Sequence, residues 1–67
     1  MISEKEEKIS TLLDIREIAI DLYNNVIYLQ NLDIDNVRLL NACQAVINTL
    51  NEMIWEIEAS SNAENEE

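Results

Sequence analysis

The chain predicts an all-α fold: an antiparallel two-helix hairpin, coiled-coil-like, that dimerises into a four-helix bundle. Three observations carry that expectation. There is no glycine and no proline, so no residue type in the chain breaks a helix outright. Apolar residues recur at alternating steps of three and four in two separate stretches. Between the stretches lies one cluster of turn-forming residues, from Gln30 to Asn36.

The first helix is expected over about 3–30. Ser3-Glu4-Lys5-Glu6 fits a capping box, and Glu4, Glu6 and Glu7 sit where the helix dipole favours negative charge. Its seam reads Leu12, Ile15, Ala19, Leu22, Val26 and Leu29. A turn over 31–35 follows, in which Asp33 or Asp35 caps the second helix and Leu32 on Val37, or Ile34 on Leu39, forms a hydrophobic staple.

The second helix is expected over about 36–58, with Leu39, Cys43, Val46, Leu50, Met53 and Ile57 as its seam. Residues 59–67 have no apolar period and read as a disordered acidic tail on a hairpin domain of residues 1–58. Two helices of roughly 25 residues span about 38 Å each, and a short turn folds them back antiparallel. The seams then pair Leu12 with Met53, Ile15 with Leu50, Ala19 with Val46, Leu22 with Cys43 and Val26 with Leu39. Cys43 is therefore expected as a buried small apolar residue.

Each helix has apolar residues left over. Leu13, Ile20 and Ile27, with Tyr23 beside them, lie seven apart on helix 1; Leu40, Ile47 and Ile54 do so on helix 2. Both sets fall on the same side of an antiparallel pair, and the apolar arc of helix 1 is about 160° wide, more than a two-stranded seam needs. Covering these side chains is worth on the order of 10 kcal/mol gross per chain at ~25 cal/mol/Å². Leu13, Ile20, Tyr23, Ile27, Leu40, Ile47 and Ile54 are accordingly the expected self-association face of a homodimer. Two alternatives stand beside it: a helix from a different protein docks there, or Asn24-Asn25 breaks helix 1 and a three-helix monomer covers its own core.

The chain carries 14 Asp and Glu against 4 Lys and Arg, a formal charge of −10. That argues against direct nucleic-acid binding and against anionic membrane surfaces. The N-terminus lacks the pattern of a signal peptide, and the longest uncharged run, Leu39 to Asn51, is too short and polar to span a bilayer, so a cytoplasmic protein is expected. Abundant Ile and Asn hint at an AT-rich genome, such as a low-GC bacterium or its phage, in which case the host cytoplasm is the setting. There is no histidine and one cysteine. No catalytic constellation, metal site or cofactor motif is present, and an enzyme is not expected.

Candidates for binding another protein, one with a basic surface in particular, are the aromatics Trp55 and Tyr28, which lie off both stripes, and the carboxylates Glu52, Glu56, Glu58, Asp14, Glu17 and Asp21. Glu56 and Glu58 sit at the C-terminal end of helix 2 against the dipole, with Lys5 and Lys8 expected nearby to offset them. Three functions follow: an inhibitor or adaptor that occludes a site on a larger protein; a polyanion mimic of phage type that blocks a nucleic-acid-binding or defence protein; and a structural bundle-forming assembly protein.

Overall fold

The absence of glycine and proline lets both helices run long. In the computed structural model, which describes residues 3–65 and the side chains of 3–60, α1 spans Glu4–Tyr28, a short 3-10 turn spans Leu29–Leu32, and α2 spans Val37–Asn65. The two helices pack against each other as an antiparallel hairpin. Its Cα extents of 55 × 22 × 9 Å make it a single layer, two helices wide and one helix thick.

Ser3 caps α1 through its hydroxyl, which accepts from the Glu6 N–H at 3.1 Å. Asn24 and Asn25 do not break the helix: Asn25 turns its amide back to the Asp21 carbonyl at 2.9 Å and α1 continues to Tyr28. That removes the three-helix alternative.

The chain reverses without glycine. Asp33 takes the left-handed conformation at φ 57°. Its N–H donates to the Gln30 carbonyl at 3.2 Å, and that of Ile34 donates to Leu29 at 3.1 Å, the two bonds of a Schellman closure. Asp35 then accepts from the Val37 N–H at 3.1 Å, while the Asn36 carbonyl takes the first bond of α2 from Leu40 at 2.8 Å. Asp33 and Asp35 thus divide the capping roles, one ending the first helical segment and the other starting the second. The expected staples do not form a buried contact, since Leu32, Ile34, Val37 and Leu39 all remain exposed.

The seam differs from the expected one by a rotation of both helices. Buried or half-buried positions on α1 are Lys5, Ile9, Leu12, Arg16, Ala19, Tyr23 and Val26; on α2, over residues 37–60, they are Leu40, Cys43, Ile47, Leu50, Ile54, Ile57 and Ala59. Leu12, Ala19, Val26, Cys43, Leu50 and Ile57 belong to both versions. Ile15, Leu22, Leu39, Val46 and Met53, expected inside, lie outside. The physical reason is the width of the apolar arc of α1. It is flanked by Leu13, Ile20 and Ile27 on one edge and Ile15 and Leu22 on the other, so its centre runs along Ile9, Leu12, Arg16, Ala19, Tyr23 and Val26, and the centre faces α2. The same rotation brings Leu40, Ile47 and Ile54 inward on α2.

The core is thin. Its buried apolar side chains among the described residues are Ala19, Val26, Cys43, Leu50 and Ile54, and Asn36 is the buried polar one. At its far end α2 runs to Asn65, past Glu58 where the second helix was expected to stop, and Glu66 and Glu67 lie outside the described residues. No helix among the described residues is long and apolar enough to cross a membrane.

Candidate protein-binding faces

Placing Ile9, Arg16 and Tyr23 at a and Leu12, Ala19 and Val26 at d assigns every other position on α1. On α2, Leu40, Ile47 and Ile54 take a, and Cys43, Leu50 and Ile57 take d. In an antiparallel pair the e rows of the two helices adjoin on one side and the g rows on the other. The hairpin therefore presents two broad faces of different chemistry.

The g face carries Ile15 and Leu22 from α1 and Leu39, Val46 and Met53 from α2, all between 42% and 55% exposed. These are the residues that the apolar repeat placed in the seam. The e face is mixed. Leu13, Ile20 and Ile27 contribute an apolar row, 38% to 43% exposed. Gln44, Asn51 and Glu58 on α2 oppose it with polar groups, and the b row of Asn41, Asn48 and Trp55 lies just beyond.

Of the expected self-association face, the structure leaves only Leu13, Ile20 and Ile27 outside. Ile54 is buried, and Tyr23, Leu40 and Ile47 are half-buried inside the hairpin. That half of the stripe is spent on intrachain packing, because α2 turns its larger β-branched residues Ile47 and Ile54 toward α1.

Arg16 crosses the e side of the seam, where its Nη1 donates to Asn51 Oδ1 at 2.7 Å. The apolar period skips both residues, so the pattern gave no sign of the contact; the sign lies in Arg16 falling at the centre of the apolar arc. The bond also sets the level of the two helices. One turn toward the open end from this pair, Trp55 comes level with Leu12 and Leu13. Trp55 is 70% exposed, the most open of the exposed large apolar side chains, and stands at the edge of the mixed face. Tyr28 is 58% exposed and shares the outer f row of α1 with Asp14 and Asp21, near the turn. The two aromatics are at opposite ends, as their places in the hairpin require.

The carboxylates of Asp14, Glu17, Asp21, Glu52, Glu56 and Glu58 are all exposed. They do not form one cluster: Asp14, Asp21 and Glu52 lie on outer rows, Glu17 and Glu58 border the e face, and Glu56 stands at the open end. There Lys5, Lys8, Glu4, Glu56, Met53, Ile57 and Ser60 line a shallow groove of about 470 Å³. Lys8 pairs with Glu4 at 3.3 Å in the same helix, the ion pair formed among the described residues. Lys5 and Lys8 border the groove that Glu56 also lines, without an ion pair to it among those residues.

The amide row of α2 is partly self-satisfied, with Gln44 donating to Asn48 at 3.1 Å. Cys43 is buried as a free thiol. At the turn, Asn36 donates from Nδ2 to the Val26 carbonyl at 3.0 Å, joining the start of α2 to the end of α1. It is a structural latch rather than a binding group. No protein-family model, curated protein or solved structure matches the chain.

Proposed function

We propose that this chain acts by binding another protein, as an inhibitor or adaptor that covers a site on a larger partner, and that the mixed e face with Trp55 at its edge is the binding surface. The observation that carries this reading is the exposure of Trp55 beside an apolar row and a fixed Arg16–Asn51 pair. Trp and Arg are the residue types that dominate binding energy when a partner desolvates them. Leu13 and Ile20 supply apolar area around them, and Glu17 and Glu58 supply a rim that favours a partner with basic residues. The function is recognition and needs no catalytic group of this chain.

The test is a binding measurement on the partner recovered with the intact chain, using Trp55→Ala against Ala45→Ser, which lies on the outer row of α2 away from this face. Trp55→Ala weakens binding at least tenfold, on the order of 2 kcal/mol for a central aromatic. Unchanged binding by Trp55→Ala rejects the assignment.

The charge of −10 supports a second reading, a polyanion mimic that fills a nucleic-acid channel. It makes the opposite prediction. Removing Asp14, Asp21, Glu52 and Glu56 then abolishes binding while Trp55→Ala leaves it intact, and added salt releases the partner.

A further inference from the structure

We propose that the g face, formed by Ile15, Leu22, Leu39, Val46 and Met53, is the docking surface for a second copy of this chain, giving a two-fold four-helix bundle that leaves the Trp55 face outward. The proposal is separate from the partner face, which lies on the other side of the layer.

Charge is the first argument. On a chain of −10, the g face and its bordering c row hold no charged side chain from Thr11 to Leu29 on α1 or from Leu39 to Met53 on α2. Charges resume only with Lys8 and Glu56 at the open end. Two such acidic chains repel wherever carboxylates meet, so a copy can approach closely only over an uncharged surface. A basic partner gains nothing there. The e face carries Glu17, Glu58 and Arg16 on or beside it and does not meet this condition.

Area is the second argument. The five side chains are about half exposed and present on the order of 500 Å² of largely apolar surface, at the upper end of what a soluble monomer leaves open. Ile18, Ala42 and Thr49 border them and bring the face near the ~800 Å² per partner of a standard interface. Ala42 and Thr49 are small and admit close helix approach. A two-fold contact is self-complementary, so one such face serves both copies.

Need is the third. A single layer of two helices has a core of five buried apolar residues among the described residues, and one cysteine provides no intrachain disulfide. Association with a second copy adds cover to a core this thin.

Sedimentation equilibrium on the full chain tests the proposal, with circular dichroism to confirm helicity. The wild type sediments as two chains, and its melting temperature rises with concentration. Val46→Ala and Leu22→Ala, which keep a strong helix former at each site, raise the dimer dissociation constant about tenfold each. Ile20→Ala and Ile27→Ala change it by less than about twofold. Added salt tightens the dimer by screening like charges. A single-chain mass with a concentration-independent melting temperature overturns the proposal and leaves the face to a foreign helix. So does a stronger effect at Ile20 and Ile27 than at Leu22 and Val46. Should Val46→Ala lose helicity at every concentration, Met53→Ala at the edge of the face replaces it, and an unaltered dissociation constant there overturns the proposal equally.

Discussion

Arg16 and Asn51 meet across the hairpin at 2.7 Å, the side-chain hydrogen bond that joins the middle of α1 to α2. Arg16 occupies a seam position that an aliphatic residue would normally fill, and its stem lies along the seam while the guanidinium reaches the edge. The contact therefore specifies level as well as adding energy. A one-turn slip would part the guanidinium from Asn51.

Arg16→Ala and Asn51→Ala are each expected to lower the stability of the hairpin by roughly 0.5–1.5 kcal/mol. A double-mutant cycle in urea separates the contact from the packing of the Arg16 stem. The double variant costs less than the sum of the singles, whereas strict additivity would show that the bond contributes nothing.

Asn36 and Val26 form the second tie, buried at the turn. Asn36→Ala leaves the Val26 carbonyl without that donor in a site closed to water, a loss of about 1–3 kcal/mol. Because the site adjoins the turn, amide exchange at Asp33 to Val37 should accelerate more than exchange at the middle of α2. Uniform acceleration would show global destabilisation only.

Asp33 holds a positive φ in a chain with no glycine. Asp33→Gly relieves the Cβ clash and is expected to raise stability by about 0.5–1 kcal/mol, while Asp33→Val lowers it by more. Urea midpoints for the three proteins give the order directly.

Ile54 and Trp55 are neighbours in sequence with opposite fates, one buried and the other open. Ile54→Ala is expected to cost about 2–4 kcal/mol through the cavity it leaves. Trp55→Ala should stay within about 0.5 kcal/mol of wild type in thermal unfolding. Equal losses at the two sites would contradict the rotation of the seam.

Cys43 provides a built-in clock for opening. Buried as it is in the seam between the helices, its thiol should react with an alkylating reagent only as fast as the hairpin opens. Destabilising the core with Ile54→Ala should speed the reaction, and a rate equal to that of a free thiol in the native protein would mean the seam is not closed over it.

Much of the architecture was legible in the amino-acid order. The Ser3 cap, two helices, the reversal between Gln30 and Asn36, the antiparallel arrangement and the burial of Cys43 follow from local rules: helix propensity without glycine or proline, turn residues confined to one place, and a repeat of three and four. Those rules act within a turn or two of the chain, and packing does not override them here. Which stripe of each helix faces the other lay beyond them. Leu39, Val46 and Met53 and Leu40, Ile47 and Ile54 are equally periodic, and periodicity gives the spacing of a stripe without its direction. Tertiary packing made the choice. The apolar arc of α1 is broad enough that burial is best served at its centre, where Arg16 finds Asn51 and Tyr23 finds cover, and α2 turns to match. That rotation of both helices moved the expected seam onto the surface and made Ile15, Leu22, Leu39, Val46 and Met53 the g face, because one pair of helices has only one line of contact for two apolar stripes.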